Sequence, residues 1–151
     1  MSETKETEDT MKEFMPQFTT PYSREEARRI DAGVLAFVGD AVQTLYVRTR
    51  LAAALDVKSG ALHRLAAHEV NATAQASALK RIESLLTEEE LSVYKRSRNT
   101  HKETVAKHAD VVDYKIASGF EGLIGYLYLT GDVRRLSELI HVAYNDDIGK
   151  Q

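Results

Sequence analysis

Apolar side chains recur at spacings of three and four residues along most of this chain, and that period dictates a helical fold. Val34, Leu35, Val38, Val42, Leu45 and Tyr46 mark the first stripe, and Ser23 followed by Glu25 and Glu26 reads as a helix start before it. One long amphipathic helix is expected there. Ser59 is expected to cap a second helical segment, in which Leu62, Leu65, Val70, Ala74 and Leu79 share a face. Thr87 with Glu88, Glu89 and Glu90 opens another, because carboxylates in a first turn suit the positive end of the helix dipole; it is expected to run to about Arg96. A polar, basic loop over 97–112 separates it from a face made by Ile116, Phe120, Leu123, Ile124 and Leu127. Gly131 punctuates that helix, and Val133, Leu136, Leu139, Ile140 and Ala143 define the last one. No hairpin signal or internal repeat interrupts the pattern, so the expected fold class is all-α.

A length of 151 residues allows one ordinary core and leaves no room for a second domain. Residues 1–20 are polar with no sustained apolar period and are read as a mobile leader, 21–148 as the domain, and 149–151 as a tail. No apolar run approaches the roughly 18 residues of a membrane span, and the acidic start lacks a signal-peptide core. A cytoplasmic location and no membrane partner are expected. The absence of cysteine excludes disulfides, thiolate zinc sites and cysteine nucleophiles. Any metal then falls to carboxylates, carbonyls, water or histidine, which favours Mg²⁺ or Mn²⁺ over zinc.

The net charge of −3 gives no hint of nucleic acid, yet residues 1–20 alone hold five acidic and two basic groups, which leaves the rest of the chain neutral. Within that neutral body, Lys95, Arg96, Arg98, Lys102 and Lys107 are opposed locally only by Glu103. Such a patch attracts phosphate if it gathers on one face, and is a solvated turn if it does not. His101 and His108 lie in the same loop, but no third ligand stands at a recognisable spacing, so they are not read as a metal site. Tyr126 and Tyr128 flank Leu127 and must point to different faces of a helix, which favours packing over an aromatic platform.

Two stretches carry small residues where a helix gains nothing from them. Ala36 and Asp40 lie with Gly33 and Val47 on a face apart from the first apolar stripe, and Ser118, Gly122 and Gly125 form a strip beside Glu121. Each internal glycine costs about 1 kcal/mol relative to alanine. That cost is tolerated where another backbone comes close, so the helices bearing Gly39 and Gly122 are expected to cross tightly and bring Asp40 near Glu121. On this pattern alone Asp40 is equally a cap after Gly39 or a solvated polar position.

Family resemblance adds to that reading. Leu35 to Arg48 resembles the hallmark helix of the ribonuclease III endonuclease domain, with Phe37, Val38, Gly39 and Asp40 matching its phenylalanine, hydrophobic residue, glycine and metal-binding aspartate. Gly119 to Leu129 resembles the later helix of that family, with Glu121 at its metal-ligand position. Between them, Thr87 to Asn99, the basic loop, and Lys107 and Asp110 resemble the Mini-III branch, which lacks a double-stranded-RNA-binding domain. The resemblance covers roughly Ile30 to Leu139. Two positions depart from the wider family, where a glutamate precedes the aspartate by four residues and an aspartate precedes the later glutamate by three. Here they are Ala36 and Ser118.

The resemblance implies a homodimer of the ribonuclease III helical fold that cleaves double-stranded RNA. Asp40 and Glu121 would be the catalytic metal ligands, Mg²⁺ the cofactor with Mn²⁺ as substitute, and water the attacking group. Lys95, Arg96, Arg98, Lys102 and Lys107 would grip phosphates, with the RNA duplex recognised by shape and 2′-hydroxyls. The implied substrate is the precursor of large-subunit (23S) ribosomal RNA, presented with a large-subunit ribosomal protein. Two rival readings stand beside it: a catalytically silent RNA-binding dimer of the same fold, and a plain helical interaction module.

Overall fold

The structure, a computed structural model, describes residues 21–54, 58–100 and 111–144. All regular elements among them are helical, in agreement with the all-α expectation. Lys102, Lys107, His101, His108 and Asp110, together with the leader and the tail, lie outside the described residues.

The first helical segment divides in two. Ser23 caps α1, Arg24–Arg28, in a reciprocal box: its hydroxyl accepts from the Glu26 amide and Glu26 accepts from the Ser23 amide, each at 3.1 Å. The chain then breaks and restarts as α2, Ala32–Ala54. Asp31 causes the restart, because its carboxylate accepts the amides of Gly33 (2.9 Å) and Val34 (3.3 Å) and gives the new helix its own cap. The expected stripe also rotates. Leu35, Val42 and Tyr46 are buried, but Val34 and Leu45 are 49% and 43% exposed, and Gly39, Gln43 and Val47 join the buried face instead.

The next expected helix is likewise two, α3 (Ser59–Glu69) and α4 (Ala72–Ile82). Ser59 is the first helical residue rather than the cap, since Lys58 holds the cap position without a side-chain hydrogen bond. Asn71 makes the break: its amide nitrogen donates to the His68 carbonyl at 2.8 Å and its oxygen accepts from the Ala74 amide at 2.9 Å. Thr87 and Glu90 form a second capping box on α5, Glu88–Asn99, which runs three residues past its expected end. Then follow α6, Val111–Leu129, and α7, Val133–Tyr144, joined by Gly131 at φ 73°, the left-handed value that favours glycine.

Helix α6 is the centre of the domain and packs against α2, α4, α5 and α7. Its residues Phe120, Leu123, Ile124, Tyr126 and Leu127 are all buried, the signature of a helix enclosed on most sides. A bidentate Arg135–Glu90 pair, 2.8 Å at both nitrogens, ties α7 to the start of α5. Deep between α2, α4 and α7, the Gln43 carbonyl oxygen accepts from Gln75 and from the Tyr144 hydroxyl, each at 3.0 Å.

Candidate active site

Helices α2 and α6 touch main chain to main chain. A Cβ at Gly39 would overlap the carbonyl oxygen of Glu121, and one at Gly125 would overlap the carbonyl oxygen of Leu35. The tight crossing expected from the glycines is therefore present, but Gly125 rather than Gly122 faces Gly39. Gly122 instead leaves room for the side chain of Ser97 on α5, and Gly119 for the ring of Tyr94. Three glycines at a spacing of three thus serve two different neighbours of one helix.

This crossing brings Asp40 and Glu121 together. They line one cleft of about 220 Å³ with Ala36, Phe37, Ser97, Thr100, Tyr114 and Ser118. Asp40 is exposed at the mouth, whereas Glu121 is half-buried. Burial pushes the Glu121 carboxyl up to about 8, and the negative charge and hydrogen bond of Asp40 add to the rise. The pair therefore holds a proton near neutral pH in the absence of a cation.

Ala36 and Ser118 line this same cleft, so the two departures from the wider family pattern fall where additional carboxylates would stand. Among the described residues no group of three or more acidic, histidine or cysteine side chains gathers to hold a metal. Two carboxylates remain: hard oxygen donors whose combined charge balances one divalent cation, in a cleft left open by small side chains. That donor set fits a Mg²⁺-like ion, which characteristically keeps several of its waters, and does not fit a softer metal.

Comparison with known proteins bears on the family and the fold. Residues 33–132 match the family model described as the ribonuclease III domain. A Mini-ribonuclease 3 of Enterococcus faecalis is 46% identical over 116 residues, covering 76% of this chain and 88% of the relative. The Mini-ribonuclease 3 of Streptococcus pneumoniae is 45% identical over 113 residues, covering 74% and 88%. The chain belongs to the ribonuclease III family, in its Mini-ribonuclease 3 branch. A crystal structure of a protein from Fusobacterium nucleatum, 28% identical, superposes with a TM-score of 0.71 over 78% of this chain and 94% of that one. Membership in the ribonuclease III family carries a ribonuclease role, the enzyme class expected from the sequence.

Of the five basic residues expected to grip phosphates, the three described, Lys95, Arg96 and Arg98, do not share one face. Lys95 is exposed on α5. Arg96 donates to the main-chain carbonyls of Arg28 and, at 3.0 Å, Ile30, clamping the end of α1 against α5. Arg98 lies on the far side of α5, since two residues turn a helix by roughly 200°. Its guanidinium sits 5.5 Å from the Tyr94 ring centroid and donates to Asn99 at 3.1 Å. Sequence reasoning had not singled out Ser97 or Tyr114. Ser97 had one usable signal, Gly122, a small residue in a helix interior that needs a partner.

Proposed function

We propose that this chain is a divalent-cation-dependent endoribonuclease that hydrolyses double-stranded RNA. The observation that carries the reading is the Asp40–Glu121 pair facing one open cleft, at the two positions where the family motifs place metal ligands. Asp40 and Glu121 would hold Mg²⁺, or Mn²⁺ as substitute. A bound ion of this kind supplies an activated water and stabilises charge on the departing oxygen. Asp40 offers its carboxylate at the cleft mouth, where RNA arrives. Glu121 would give up its proton on taking up the cation, coupling loading to deprotonation.

A homodimer completes the proposal. Val34, Phe37 and Leu45 leave an apolar stripe on the outer side of α2, and Phe37 is 80% exposed beside Asp40. A second copy covering that stripe would set two clefts side by side, one for each strand. Phe37→Glu is expected to yield monomers by light scattering and to abolish double-strand cutting, while wild type measures as a dimer. The precursor of 23S ribosomal RNA is the proposed substrate, with a large-subunit ribosomal protein as helper and the cytoplasm as the location.

The deciding assay incubates purified protein with double-stranded RNA and Mg²⁺, then with Ca²⁺, alongside Asp40→Asn and Glu121→Gln. Mg²⁺-dependent cutting lost in both variants is expected. Undiminished cutting by Asp40→Asn would sink the site assignment. Binding without cutting by wild type would favour the silent RNA-binding dimer, for which Ala36 and Ser118 in the cleft are the supporting observation. Failure to bind duplex RNA at all would leave the helical interaction module.

A further inference from the structure

Ser97 has a feature that neither packing nor the carboxylate pair explains. Its residue surface is only 3% exposed, and its hydroxyl is enclosed with no hydrogen-bond partner among the described residues. A helical serine commonly bonds back to the carbonyl one turn earlier, or yields its place to alanine when buried among apolar groups. This one does neither. The neighbouring helix has even given up a side chain to admit it, since a Cβ at Gly122 would fall on the Ser97 side chain. The residue before that glycine is Glu121, and Ser97 and Glu121 line the same cleft.

We infer that Ser97 is a positioning residue for Glu121 in the cation-loaded enzyme, its hydroxyl donating a hydrogen bond to a Glu121 carboxylate oxygen. The inference rests on the reading of Asp40 and Glu121 as cation ligands. Glu121 and Asp40 line one cleft with Ser97. A Glu121 carboxylate that holds a cation through one oxygen needs a donor to fix its orientation. Carboxylate ligands are regularly held by such outer hydrogen bonds, and the partners affect metal affinity nearly as much as the ligands do. Ser97 is a donor with nothing to donate to, on the cleft that Glu121 also lines. It also compensates in part for a cleft in which Ala36 and Ser118 offer no further carboxylate.

The test uses the full chain and Mn²⁺ alone as probe. Mn²⁺ affinity is measured by calorimetry and by electron paramagnetic resonance for wild type, Ser97→Ala, Ser97→Cys and Asp40→Asn, and the Tm of each is taken in EDTA. Ser97→Ala is expected to bind Mn²⁺ about tenfold more weakly, with a Tm in EDTA equal to or above wild type because no hydrogen bond is lost there. Ser97→Cys, a weaker donor of similar size, should fall between. If Ser97→Ala keeps wild-type affinity, or lowers the Tm in EDTA, the hydroxyl serves packing and the inference fails. If Asp40→Asn also keeps wild-type affinity, the ligand reading itself fails and takes the inference with it. Loss in Asp40→Asn with retention in Ser97→Ala removes Ser97 alone.

Discussion

Glu121 and Asp40 share one cleft from neighbouring helices, and the two meet where Gly39 and Gly125 let α2 and α6 touch through their main chains. The proton held by that pair is the first quantity to measure.

In the fold, the Glu121 carboxyl stands at about 8 against an ordinary value of 4.5. A raised carboxyl means that the folded state binds the proton more tightly than the unfolded chain does. The associated stability is therefore complete below about pH 4.5 and declines as the pH climbs toward 8. Thermal unfolding in EDTA should show Tm falling across that window, and added Mg²⁺ should restore it at the alkaline end. Asp40→Asn, which removes the neighbouring charge, should flatten the slope. A Tm in wild type that does not respond to pH there would contradict the raised value.

Gly125→Ala forces a methyl group into the Leu35 carbonyl, where only backbone could yield. We expect a loss of about 3 kcal/mol, at the upper end of overpacking penalties, read from urea denaturation. Gly60→Ala is the control, because its new Cβ would meet nothing closer than the Arg64 guanidinium at 3.8 Å. That change should stabilise by about 0.5 kcal/mol through the unfolded chain. Equal effects at the two glycines would refute the close crossing.

Arg96 and Lys95 are neighbours with different tasks. Arg96→Ala removes the clamp on the carbonyls of Arg28 and Ile30 and should cost about 1 kcal/mol of stability. Lys95→Ala should leave Tm unchanged, weaken duplex RNA binding, and lower the slope of log affinity against log salt by about 1. A reversed pattern, with Arg96 governing the salt slope and Lys95 the Tm, would overturn the division of roles.

Most of the fold was legible because caps and periodicity are local. The Ser23 start, the Thr87–Glu90 box and the Gly131 stop are each written in three or four consecutive residues, and each stands where expected. The break at Asn71 was missed because Leu62, Leu65 and Val70 before it and Ala74 and Leu79 after it read as one apolar face, and the break at Asp31 because Ser23 with Glu25 and Glu26 reads as the start of the helix that follows. An amphipathic pattern does not register a one-turn pause. The burial of Val47 and exposure of Val34 follow from which side of α2 faces the rest of the core, which only tertiary packing sets. At the site, Asp40 and Glu121 came from motif and glycine context together. Ser97 escaped notice because a serine among charged residues looks solvated until the facing glycine is known.

The glycine crossing has a last consequence, for how the site ages. Where side chains separate two helices, each core substitution resets the gap between them. Here the separation of the two carboxylate-bearing backbones is set by peptide atoms in contact, whose dimensions no mutation changes. The surrounding core can drift a long way in composition while the span offered to an ion stays constant, provided that Gly39 and Gly125 remain.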